Sequence, residues 1–297
     1  MKVTTYGTRG SLPVAGAKTV RYGGCTTSLR IESECLPPGM VLAVDAGSGF
    51  LPLVAGALKQ GMREMVLLFT HYHYDHIQGL LIAPAIYIPT IPLHAYGPVQ
   101  EGVGPGEMLK LVMRPPFHPV DAKRVLAHFH SYKMEDPATK VLIFHKEGGH
   151  KLMDVNQFDT MGDTPDAQVP FRKGKFPLRE CLVVRMHYSR HPERTISYRF
   201  EERPTGKVFV FLTDEENRDG IPAELKKHVS GATLIIQDVQ YARKTYDAGT
   251  SGFGHGTPDW AVRVASAGKC QRIGFTHHDP ASSDDDVDNI VEEGNDW

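Results

Sequence analysis

Short runs of Val, Ile, Leu and Phe, several alternating with polar residues, recur along the chain. They predict strands near residues 2–6, 27–32, 40–45, 65–70, 92–96, 125–130, 141–145, 181–186, 195–201, 207–213, 233–238 and 271–275. Wider apolar spacing predicts helices over 50–60, 76–83, 106–113, 221–229, 258–267 and 284–292. The last of these begins with Ser283 in the N-cap position. Asp284, Asp285 and Asp286 follow in the first turn, where the positive end of a helix favours carboxylates. The acidic run near the C-terminus therefore reads as a helix start. Bunched strands with helices between them predict a layered α/β protein. Residues 97–120 and 146–180 break the pattern; both are rich in Gly, Pro and charge. They read as long loops, a lid or insertion around 97–180 in one domain spanning 1–297.

Composition narrows the picture. The 297 residues are 41% apolar and 23% charged, enough for a sizeable core. A formal net charge of −2 offers no overall basic field for nucleic acid or an anionic membrane, so large RNA is disfavoured as a partner. The opening MKVTTYGTRGS lacks the apolar core of a secretion signal, and the apolar runs at 65–69 and 80–88 are too short or broken to span a bilayer. Cys25, Cys35, Cys181 and Cys270 are scattered without a CxxC pair, as suits free thiols in a reducing cytoplasm. A homo-oligomer is compatible with all of this.

The chemistry concentrates in FTHYHYDHIQG, residues 69–79. A strand ending at Thr70 delivers His71 and His73 to its C-terminal edge. Alternate residues of extended chain point the same way, so these two imidazoles can converge on one ion. Asp75 and His76 fall where the chain turns into a helix, aimed elsewhere, which makes a second ion beside the first geometrically natural. Most of the chain's 15 histidines carry no such signal. His128 and His130 alternate on an expected strand without a recognisable acidic neighbour, and His94, His118, His145 and His150 read as surface or lid residues.

HYHYDH resembles the HxHxDH motif of the metallo-β-lactamase superfamily. GTRGSLP, RYGGCTTSLRIE and LAVDAGSGF are similar to its phosphodiesterase and ribonuclease Z branch. The resemblance implies a four-layer αββα sandwich with two divalent metals, zinc or alternatively manganese or iron, at one edge of the paired sheets. It implies His191 as the third histidine, seven residues before Tyr198-Arg199, in preference to His187. It also implies Asp214, in VFVFLTDEE, as the bridging carboxylate, and His277 of FTHHDP as the last ligand, with His278 as runner-up. On this mapping His71, His73 and His191 hold one metal, Asp75, His76 and His277 hold the other, and Asp214 joins them. Asp45 matches an aspartate that supports the site from below, although a turn role in DAGSG is an equal alternative.

GFGHGTPDW resembles the branch's HST loop, which implies His255 as a catalytic group beside Asp75 of the HYHYDH motif. A hydroxide shared by the metals would attack phosphorus while His255 assists the leaving group. The expected activity is a two-metal phosphodiesterase acting on small or cyclic phosphodiesters. Alternatives are a ribonuclease Z-like endoribonuclease, a lactone or carbonyl-ester hydrolase, and a non-catalytic binding protein. Cys25 stands where this group would carry asparagine, and the 130–180 region is longer than usual. Arg172, Lys173, Lys175 and Arg179 read as a solvated loop ahead of an anion-attracting lid.

Overall fold

The computed structural model describes residues 1–216 and 220–297. Among these residues the first half of the chain builds a mixed six-stranded sheet. Its strands are β1 (Lys2–Gly7), β2 (Ser28–Glu32), β3 (Met40–Val44), β4 (Glu64–Leu68), β5 (Leu93–Pro98) and β6 (Phe129–Met134), in that spatial order. From β3 to β6 the strands run parallel. Alternate residues therefore face opposite sides. Val41, Ala43, Met65, Leu67, Leu93 and Ala95 pack against α1 (Phe50–Lys59), α2 (Tyr74–Ile77) and α3 (Pro105–Val112). Helix α1 buries Phe50, Leu53, Val54 and Ala57, the spacing of one apolar stripe.

The second sheet contains β7 (Lys140–His145) and β8 (Gly149–Asp154). Helix α4 (Val155–Met161) and the hairpin of β9 (Gln168–Phe171) and β10 (Gly174–Pro177) follow. The sheet is completed by β11 (Leu182–Ser189), β12 (Thr195–Glu202), β13 (Lys207–Leu212), β14 (Leu234–Asp238) and β15 (Ile273–Thr276), with β8 and β15 at its edges. Its inner face sets Leu142, Phe144, Leu182, Val184, Tyr198, Phe200 and Phe211 against Leu42, Val44, Val66 and Leu68 of the first sheet. Its outer face sets Val210, Leu212 and Ile235 against α5 (Ala223–Val229) and α7 (Pro258–Ala267); α6 (Arg243–Thr245) is a single turn, and α8 (Asp284–Asn295) packs beside α7. Two sheets packed face to face with helices outside each make four layers, the expected αββα sandwich.

All twelve expected strands exist, and the differences have local causes. The strand expected at 125–130 begins later, at Phe129, because Val125 turns into the helix-side apolar cluster. The helix expected at 76–83 stops at Ile77 and the chain continues as 3₁₀ turns, with Ala83 extended ahead of Pro84. Residues 146–180 are not a long loop: they carry β8, α4 and the β9–β10 hairpin. Met153, Phe158, Val169 and Phe171 of this segment pack on Val141, Ile143 and Val183 of the second sheet. Its strands are short and polar on one side, which hides their period. At the C-terminus Ser283 Oγ accepts from the Asp286 N–H, while the Asp286 carboxylate accepts from the Ser283 N–H, closing the expected cap reciprocally. No described helix is long and apolar enough to cross a membrane.

One buried histidine makes the fold acid-sensitive. His228 of α5 hydrogen-bonds Ser197 Oγ at 3.0 Å. Burial, then His187 and Arg199, hold its imidazole well below the ordinary histidine range. An unfolded chain takes up this proton near pH 6.5, whereas the folded chain does not. The stability contributed by neutral His228 is thus present above pH ~6.5 and is lost as pH falls, at up to about 1.4 kcal/mol per pH unit. Urea unfolding of His228→Gln should lose less stability than the wild type between about pH 7 and about pH 5; equal losses would remove His228 from the account.

Candidate metal centre

The parallel strands of both sheets end at one edge of the sandwich, and the chemistry gathers there. Asp45 follows β3, His71 follows β4, Asp214 follows β13, Asp238 closes β14 and His277 follows β15. The turn between β11 and β12 adds His191. Asp45, Asp214 and His277 have φ of 56°, 49° and 62°, a left-handed conformation that L-residues adopt at a cost. At each strand end this turn swings the side chain across the sheet edge. Gly10 fits beneath His277, where a Cβ would lie 2.3 Å from the ring Nδ1, so the glycine of GTRGS is sterically required. Arg9, fully buried, holds that loop through the carbonyls of Gly23, Asp279 and Ser282, and the Ser11 N–H donates to Asp75 Oδ2 at 2.8 Å.

The ligand atoms fall into two neighbouring groups, each within 4.8 Å: His71, His73, His191 and Asp214, and Asp75, His76 and His277. Asp214 faces both. Its Oδ2 lies 3.4 Å from His71 Nε2 and 4.0 Å from His191 Nε2. Its Oδ1 lies 3.4 Å from His76 Nε2 and 3.3 Å from His277 Nε2.

In four of these imidazoles the other ring nitrogen is pinned to an oxygen. His71 Nδ1 meets Thr70 Oγ1 at 3.1 Å, and His76 Nδ1 meets Asp45 Oδ2 at 2.8 Å. His191 Nδ1 meets the Gly254 carbonyl at 3.0 Å, and His277 Nδ1 meets Gln240 Oε1 at 2.9 Å. An oxygen at Nδ1 favours the proton there and leaves an Nε2 lone pair aimed inward, the arrangement a metal-binding histidine needs. Asp45 reaches two of them, since Thr70 Oγ1 also donates to Asp45 Oδ2 at 2.8 Å. Asp45 thus contacts His76 directly and His71 through Thr70.

Burial and charge compete strongly here. Burial holds the His71 imidazole far below its usual range, so it is neutral. Burial also opposes charge on His277, but Asp214, Asp75 and Asp238 outweigh it and raise that pKa to about 9. In Asp214 burial is likewise outweighed, chiefly by His277 and His76, and the carboxylate stays ionised. Meanwhile His71 Nε2, His191 Nε2 and Asp214 Oδ2, all buried, make no hydrogen bond within the described residues. Buried polar atoms without partners are costly, and three of them facing one another fit a cation. The donor set of imidazoles and carboxylates suits divalent zinc, manganese or iron.

The other expected residues sort cleanly. His73 joins the first group from a more exposed position, its Nε2 3.0 Å from Glu193 Oε2. His278 does not join: its ring packs on Tyr22, and its backbone pairs with Thr8 and Gly10. His187 lies apart, beside His228. His255 sits over the centre, its ring 4.9 Å from His277 and 5.5 Å from His191. Asp238 Oδ2 holds His255 Nδ1 at 2.9 Å, and ligand atoms of Asp214, Asp238, His255 and His277 also lie within 4.8 Å of one another. Sequence reasoning missed Asp238, Gln240 and Glu193. For Asp238, the end of an apolar run, LIIQD, repeats the strand-end acid signal already used for Asp214.

No protein-family model matches the chain, and no curated protein matches it. Solved structures do. YhfI from Bacillus subtilis, a metallo-β-lactamase fold protein, superposes with a TM-score of 0.60 at 16% identity, covering 99% of this chain and 92% of that one. The chain has the metallo-β-lactamase fold. Two further structures share it: the short form of human tRNase Z (TM-score 0.55, 19% identity, 94% of this chain and 93% of that one) and unliganded yeast PDE1 (0.62, 13%, 99% and 92%). In this metallo-β-lactamase fold the clustered histidines and aspartates occupy the strand-end edge between the two sheets.

Proposed function

We propose that the chain is a two-metal hydrolase of the phosphodiesterase and ribonuclease Z-like branch, cleaving small or cyclic phosphodiesters. The observation that carries the reading is the set of four buried imidazoles, each pinned at Nδ1 and converging through Nε2 on Asp75 and Asp214. His71, His73, His191 and Asp214 would hold one ion, and Asp75, His76, His277 and Asp214 the other. Bound there, such ions acidify a water molecule and neutralise charge on phosphoryl oxygens. His255 would donate its Nε2 proton to the departing oxygen as the phosphorus–oxygen bond breaks. Asp238 keeps that ring oriented through its contact at Nδ1.

The rim supports a small substrate with a flat apolar part. Leu12, Tyr74 and Phe253 are 63%, 72% and 60% exposed. Each lies one residue from a group tied to the centre: Ser11, Asp75 and Gly254. A cavity of about 420 Å³ adjoins His255, lined in part by Trp260, Tyr246, Arg243 and Arg263. Aromatic edges around a polar centre suit a nucleotide-sized ester, whereas a chain of net charge −2 lacks the field that long RNA favours. The names of two structural neighbours, yeast PDE1 and human tRNase Z, are consistent with phosphodiester chemistry.

The test uses purified chain with measured metal content, loaded with zinc or manganese. Its rates are compared on a generic aryl phosphodiester, cyclic nucleotides, precursor transfer RNA, a lactone and a thioester. Metal-dependent cleavage of the phosphodiesters is expected, with the small ones fastest. Turnover of the carbonyl esters alone would overturn the phosphodiesterase reading. Two bound metals without any turnover would favour a binding protein.

A further inference from the structure

A second group of metal-ligating side chains lies at the opposite end of the sandwich. Glu64 starts β4, about 20 Å along the strand direction from His71. By strand alternation Glu64, His94 of β5, His130 of β6 and His150 of β8 point into the layer between the sheets, in line with Val66, Leu68, Tyr96, Tyr132 and Leu152. In that layer a carboxylate and imidazoles stand where the rest of the sandwich is apolar.

Their geometry is specific. Glu64 Oε1 lies 3.3 Å from His94 Nε2 and 3.5 Å from His150 Nδ1, and the three ligand atoms fall within 4.8 Å of one another. A tetrahedral ion with bonds of about 2.0–2.1 Å has ligand–ligand edges of about 3.3 Å. The His94 and His150 side chains are 15% and 12% exposed, and Glu64 30%. His94 Nδ1 lies 3.1 Å from the Tyr132 hydroxyl, which can accept from an Nδ1–H and leave Nε2 free to ligate. His130 stacks on His94 at 4.8 Å and steadies the ring.

We propose that Glu64, His94 and His150 form a separate site for a divalent first-row cation of the zinc type, tying the two sheets together away from the main centre. Glu64 and His94 come from the first sheet and His150 from the second, so a bound ion crosslinks them. Two imidazoles and one carboxylate match the ligand preference of zinc and leave room for a water molecule. Lys173, in the β9–β10 turn, adds positive charge on the Glu64 side.

The deciding measurement is anomalous diffraction at the zinc edge from wild-type crystals grown with zinc alone. A peak among Glu64, His94 and His150 is expected, separate from density at the His71 cluster. In solution, zinc should raise the Tm of a Glu64→Gln or His94→Ala variant less than that of the wild type. Zinc at the His71 cluster with no peak at Glu64 would overturn this inference and leave the proposed function standing; zinc at Glu64 alone would do the reverse. Equal Tm shifts in wild type and variants would also overturn it.

Discussion

Asp214→Ala should lower the metal content after dialysis from two ions at the strand-end centre to one or none. Phosphodiester turnover should drop by about 10³-fold or more, the loss of several kcal/mol of electrostatic stabilisation. The reason is positional. The two oxygens of this one carboxylate face different imidazole groups, Oδ2 toward His71 and His191 and Oδ1 toward His76 and His277. Removing the carboxylate deprives both groups of their shared anion while four imidazoles remain crowded in a buried space. The chelator-treated variant should therefore also be less stable than chelator-treated wild type, because His277 loses the carboxylate that contributes most to its charge. Asp214→Asn, which keeps the shape, separates charge from packing. Two ions retained per centre in both variants would show that Asp214 does not join the groups.

His255→Ala should behave in the opposite way with respect to metal. Both ions should stay bound, and turnover should fall about 10²–10⁴-fold, the range for losing a positioned proton donor. The contrast matters because His255 lies as near His277 and Asp214 as some of the proposed ligands do. If it were a ligand, the variant would lose metal along with activity. Substrates whose leaving groups need no proton, such as nitrophenyl esters, should be affected least. Asp238→Asn should act through His255, lowering turnover while leaving metal content intact, because Asp238 orients the imidazole at Nδ1. A variant of His255 with undiminished turnover on alkyl phosphodiesters would remove the residue from the chemistry.

How far the site was readable varies by residue, for physical reasons. His71, His73, Asp75 and His76 declare themselves within six positions, because one strand end and one helix start deliver them together. Asp45 and Asp214 end apolar runs, a local pattern visible in the chain. Asp238 ends a similar run, yet nothing local ties it to His255, seventeen residues on. Gln240 reaches His277 across 37 residues, and the choice of His277 over His278 follows from a positive φ that sends adjacent side chains to different places. In the β9–β10 region the strands are too short and polar for their period to stand out, so the chain there reads as loop.

By itself the sequence determined the alternation of strands and helices of a layered α/β protein, the helix cap at Ser283 and the dense histidine–aspartate stretch. These are short-range matters of side-chain period, backbone propensity and turn chemistry. Only the tertiary structure decided which distant acids and imidazoles meet. It aligned Asp214, Asp238 and His277 at one edge and put Glu64, His94 and His150 together at the other. Strand register and left-handed strand-end turns set those meetings, and both depend on the packing of the two sheets as a whole.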